Sequence, residues 1–154
     1  MSDYERTMRF LPSLLDRLTR DEDDGWVTAD VLRETVRRDL EWLLNTPHFE
    51  QLVPLHGLEH VRTSVLNYGV RSVVGHSQSQ EVQDDLVLAI ARALKAYDSR
   101  LRDVRVEIDE RAQELATGSL AIRIEADLMV QPEPVHVRVL ARRDEGFRVA
   151  LDAG

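Results

Sequence analysis

The stretch KAYDSRLRDVRVEI (residues 95–108) changes period in its middle. Upstream of it, Val82, Leu86, Ala89, Ile90, Ala93 and Tyr97 recur at spacings of three and four, which predicts an amphipathic helix over 80–97. Downstream, Val104, Val106 and Ile108 alternate with charged residues, which predicts a strand beginning near Asp103. Between the two lies a short charged knot, Asp98-Ser99-Arg100, followed by the apolar Leu101. Read locally, Arg100 and Arg102 suit the partial negative charge at a helix C-terminus. Asp98 can pair with an arginine, an exposed contact worth about 0–1 kcal/mol.

Everything after this junction keeps period two. Leu120, Ile122, Ile124, Ala126 and Leu128 share a face, as do Val135, Val137 and Val139, and then Phe147, Val149 and Leu151. Arg, Glu, Asp and His fill the alternate positions, the pattern of an antiparallel sheet wet on one side. Thr117-Gly118, Pro132-Glu133-Pro134 and Glu145-Gly146 are short turn sequences that suit a meander.

Everything before the junction is helical or irregular. Thr28 is placed to cap a helix whose stripe is Leu32, Val36, Leu40, Leu43 and Leu44, and Asn45-Thr46-Pro47 ends it. A shorter helix over 10–18 carries Leu11, Leu14, Leu15 and Leu18, with Pro12 in its first turn. RDEDDG (20–25) reads as an acidic connector, residues 61–68 as a short helical turn, and HSQSQ (76–80) as a polar lead into the second long helix. The fold expected is α+β: N-terminal helices packed on a small three- to four-stranded, mainly antiparallel C-terminal sheet. One domain over 1–154 is expected, with residues 1–25 as a candidate mobile segment.

Composition narrows the function. Of 154 residues, 43% are hydrophobic and 31% charged, as in a packed core under a charged skin. The net charge of −8 argues against a general nucleic-acid binder, which needs a basic footprint. No cysteine is present, which excludes disulfides, thiol catalysis and cysteine zinc sites. The opening MSDYERTMRF is charged and lacks an apolar run, and no stretch nears the roughly 20 apolar residues of a membrane span, so a cytoplasmic protein is expected.

Catalytic patterns are sparse. His56-Gly57-Leu58-Glu59-His60 fits H-x-x-E-H, which would need both imidazoles on one helical face and a third ligand. Gly57 and the nearby Pro54 oppose that helix. Asp and Glu are plentiful, but no pair stands out for glycoside hydrolysis, and no Gly-rich phosphate loop or G-x-S-x-G elbow occurs.

Four segments resemble the baseplate-wedge family of contractile injection machines, which includes the TssE subunits of bacterial type VI secretion. LPSLLDRLTR (11–20) resembles its LLDRL helix, VRRDLEWLLNT (36–46) is similar to its DLExLLNT helix, and SVLNYG (64–69) matches its SVLNYG segment. Residues 97–108 fall where the family carries Glu-Pro-Arg, then Leu and a strand. Here Asp98-Ser99-Arg100 departs from that triplet: the acid is one methylene shorter and the fixed φ of proline is gone.

The resemblance implies a structural role without enzyme activity or cofactor. It implies a position in the baseplate with TssF, TssG and TssK, joined to the sheath proteins TssB and TssC and docked at the inner membrane without insertion. It implies wedge contacts at Asp98, Ser99, Arg100 and Leu101. A sheet with unpaired edges further suggests acceptance of a strand from the sheath. The other readings of the chain are an adaptor or regulator sharing the fold, and a zinc hydrolase using HGLEH.

Overall fold

The computed structural model describes residues 10–19, 25–71, 79–111, 120–129, 135–143 and 146–151. Its elements run α1 (Leu14–Thr19), α2 (Ala29–Asn45), α3 (Glu59–Arg62), α4 (Gln80–Tyr97), β1 (Leu101–Ile108), β2 (Leu120–Leu128), β3 (Val135–Arg143) and β4 (Phe147–Leu151). Single 3-10 turns at Phe49–Gln51 and Val65–Asn67 flank α3. The expected α+β architecture is observed, with all four strands in one antiparallel sheet ordered β1-β2-β3-β4.

Two amphipathic helices close one side of the sheet. Thr28 caps α2 by accepting a hydrogen bond from the Val31 amide. The α2 stripe is buried as predicted, and α4 spans the predicted residues, burying Leu86, Ile90 and Ala93. Leu94, outside the predicted stripe, is fully buried beside them. Helix α4 packs on β1, while α2 lies against β4 and, more lightly, β3. Their side chains meet Ile122, Ile124, Ala126 and Leu128 of β2 in one core. Each fully buried Leu, Ile or Val among them contributes about 1.5–3 kcal/mol by leaving water.

Strand β1 starts at Leu101, two residues before the expected point, so the junction is a tight turn. Its register against β2 shifts between Arg102 and Arg105, and Asp103 sits at φ +50. Asp tolerates that left-handed backbone better than most residues, and the shift marks a bulge on an edge strand. At the opposite edge, Phe147 and Val149 face the core as expected, but Leu151 is 40% exposed.

The N-terminal leucines correct the sequence reading. Helix α1 begins at Leu14, after Pro12, and Leu11, Leu14, Leu15 and Leu18 are 46–75% exposed. Its one buried residue is Asp16. Hydrogen bonds from α2 to that carboxylate, rather than apolar spacing, set the rotation of α1. Phe10 does reach the core, anchored by a two-bond bridge to Val27. The acidic run over 20–24, most of HSQSQ, the turns at 117–118 and 132–134, and the side chains of Val135, Val137 and Val139 lie outside the described residues, as does residues 1–9 of the candidate mobile segment.

Candidate functional site

At the junction, α4 ends where the Asp98 amide donates to the Leu94 carbonyl. The Asp98 carbonyl then accepts from Leu101, closing a four-residue turn that swings the chain into β1. The Asp98 carboxylate folds over this turn. Its Oδ1 accepts from the Arg100 amide at 3.2 Å and from Arg100 Nε at 2.8 Å, and Oδ2 accepts from Nη2 at 2.7 Å. The first of these bonds is an Asx-turn, a ring that fixes the backbone much as proline fixes φ. The short acid therefore replaces the restraint that the departure from Glu-Pro-Arg removes.

Arg100 also reaches α2. Its Nη2 donates to Asp39 Oδ2 at 2.9 Å, while Asp39 Oδ1 accepts from Arg38 Nη2 at 3.0 Å. Arg38 in turn donates from Nη1 to Asp16 at 2.7 Å, and Ser13 and Thr35 complete that carboxylate. Asp16, Arg38, Asp39, Arg100 and Asp98 thus form one chain of alternating charge from α1 through α2 to the junction. The hydrogen bonds it donates to Asp98 hold the Arg100 guanidinium far above its ordinary pKa, against the opposing effect of burial. Arg100 stays charged.

The four expected site residues divide by exposure. Asp98 and Leu101 are buried, Ser99 is exposed and Arg100 is half-buried. Above them lies a depression of about 140 Å³ walled by Asp39, Trp42, Tyr68 and Tyr97. Asp39 was not identified from sequence, because it stands 61 residues from Arg100 and nothing local marks it.

The SVLNYG segment fastens this junction to the end of α2. Ser64 caps the turn at Val65–Asn67, and the Asn67 side chain accepts from the Glu50 amide and donates to the Arg62 carbonyl. The Tyr97 hydroxyl donates to the Asn67 carbonyl at 2.7 Å, and Tyr68 meets the Tyr97 ring edge-on at 5.2 Å. Gly69 passes so close to Thr46 that a Cβ would sit 2.1 Å from its carbonyl oxygen.

The HGLEH segment does not form a metal site. Gly57 has φ +78 and α3 starts only at Glu59, so His56 lies before the helix and the two imidazoles share no helical face. Among the described residues no cluster of three or more His, Asp or Glu could hold a metal. The carboxylates of the junction, Asp39 and Asp98, are each paired with the Arg100 guanidinium.

Among the described residues no helix is long and apolar enough to cross a membrane. No curated protein matches the chain. The model of the family described as baseplate wedge protein gp25 matches residues 30–133, from the first turn of α2 to the approach of β3. That span contains the DLEWLLNT helix, SVLNYG and the junction, while LLDRL lies before it. The chain accordingly belongs to the gp25 baseplate wedge family, structural and non-enzymatic components of contractile injection systems.

Proposed function

We propose that this chain is the TssE-type wedge subunit of a type VI secretion baseplate, assembled with TssF, TssG and TssK in the cytoplasm against the inner membrane, and that it seeds a TssB/TssC sheath by accepting a strand at β1. The observation that carries this reading is the inequality of the two sheet edges. At β4, Asn45 of α2 donates to the Phe147 carbonyl and accepts its amide, and Arg37 donates to the Val149 carbonyl at 2.9 Å. That edge is spoken for.

At β1 the ladder alternates from the bond between the Asp109 amide and Ala121, so Val106 and Ile108 turn their backbone groups away from β2. No hydrogen bond from the described residues reaches those outward groups. An incoming strand adds there, along the regular stretch after the bulge. On the wedge side, Ser99 and Arg100 meet the partner while Asp98 and Leu101 hold them in place.

The test is one substitution on the β1 edge and one at the junction. Val106→Pro removes an outward amide and leaves the β1–β2 ladder intact. It is expected to abolish sheath growth while TssF and TssG still copurify. Ser99→Trp, on an exposed position, is expected to do the reverse, blocking copurification. Normal sheaths on the Val106→Pro protein, with an unchanged melting temperature, exclude strand addition at β1.

A further inference from the structure

We propose that the segment over residues 49–66 is a rigid docking platform for a neighbouring baseplate subunit, whose contacting segment is apolar with an acidic flank. This goes beyond the junction and the sheet edge, and it stands on different residues.

The first support is an imbalance within SVLNYG. Ser64, Asn67, Tyr68 and Gly69 each have a task inside the chain, as capping group, bridge, ring contact and close-packed backbone. The side chains of Val65 and Leu66 have none, and these residues are 82% and 70% exposed. The turn at Phe49–Gln51 packs on the turn at Val65–Asn67, which brings Leu52, 81% exposed, into the same neighbourhood. Flexible loops shed such side chains into partial burial at little cost. Here four hydrogen bonds through Asn67, Ser64 and Tyr97 hold the backbone and leave the apolar groups in water. Preorganised apolar display of this kind lowers the entropy cost of binding, and exposed apolar patches mark interaction surfaces.

The second support is charge. A cleft of about 500 Å³ separates the platform from α4, with a floor of Ala89, Ala93 and Val70. Arg62, Arg71 and Arg92 line it. Glu50 and Glu59 are both turned to Arg62, and Arg71 reaches Asp85 only at 3.7 Å. Arg92 makes no ion pair among the described residues. On a chain of net charge −8, this cleft is a site where an acidic group gains a partner.

The experiment is an array of overlapping peptides covering the other baseplate proteins of the same apparatus, probed with the full chain. Bound peptides are expected to combine Leu or Ile with Asp or Glu. Leu66→Asp and Arg92→Glu, each checked for an unchanged melting temperature, are expected to weaken that binding about tenfold or more. Ser99→Trp is expected to leave it intact, which separates this surface from the junction. An absence of bound peptides, a set dominated by Lys and Arg, or retention by both platform variants overturns the proposal. So does a dimer of the chain alone that Leu66→Asp disperses, because a second copy would then be the occupant.

Discussion

Asp98 grips Arg100 twice, by its backbone amide and by its guanidinium, within a turn of only four residues. The amide bond depends on side-chain length, since another methylene enlarges the ring it closes and loosens the turn. Asp98→Glu is therefore expected to destabilise the fold by about 1 kcal/mol although it keeps the charge. Adding Ser99→Pro should recover part of that loss by restoring a backbone restraint from a different source. Urea midpoints of the two single variants and the double variant form the cycle that checks this. A neutral Asp98→Glu would show that the salt bridge alone shapes the turn.

Acidification should release α1 before the rest of the molecule. Burial pushes the Asp16 carboxyl up, but hydrogen bonds from Arg38, Ser13 and Thr35 outweigh it and hold the group below the ordinary carboxylate range. A carboxylate depressed in the folded state stabilises docking above its unfolded pKa, near 3.8, and that stability is lost as pH falls through the folded value. Freed from Asp16, Arg38 also loses one of the two carboxylates that hold it beside Trp42, whose ring centroid lies 4.9 Å from the guanidinium. A change in tryptophan emission below about pH 4, preceding global unfolding, is the expected signal. Asp16→Asn should abolish the pH step while lowering stability at neutral pH.

Gly69 admits no side chain. Its φ of +123 is unfavourable for any L residue with a Cβ, and the Thr46 carbonyl occupies the position the Cβ would take. The same carbonyl accepts the Val70 amide at 2.9 Å, so Thr46 cannot withdraw without breaking that bond. Gly69→Ala should cost about 3 kcal/mol or more, enough to unfold a marginal domain. Gly57→Ala offers the control. It shares a positive φ but meets nothing within 4 Å, so its cost should stay near 1 kcal/mol. Thermal melts of the two proteins distinguish backbone strain from steric collision.

What could be read from the sequence was what repeats locally. The stripes of α2 and α4 and the alternation of β2 declare themselves within a single element, because each buries one continuous face. The leucines of α1 follow the same spacing and mislead, since a six-residue helix takes its rotation from whatever holds it. Here that is the Asp16 carboxylate seated on Thr35 and Arg38, a contact across 19 and 22 residues that no spacing encodes. At the junction, Asp98 and Arg100 were visible as neighbours, while Asp39 was one acid among many until the fold brought α2 alongside.

Asn45 gives the last test, because one side chain does two jobs. Its amide reproduces a strand's hydrogen bonding, donating to the Phe147 carbonyl at 2.7 Å and accepting the Phe147 amide at 2.8 Å. Gly146 leaves the room this needs, since a Cβ there would lie 2.9 Å from Asn45 Oδ1. Asn45→Ala should lower stability by about 1–2 kcal/mol through the two lost bonds. It should also expose the β4 edge to pairing with another chain, because unpaired edge groups template association. Sedimentation of Asn45→Ala is expected to show concentration-dependent association that the wild type lacks, with faster hydrogen exchange at the Phe147 amide. Adding Arg37→Ala, which frees the Val149 carbonyl, should strengthen the association. Monomeric behaviour of both variants at the concentrations where baseplates assemble would mean that the backbone of β4 is guarded by something other than these two side chains of α2.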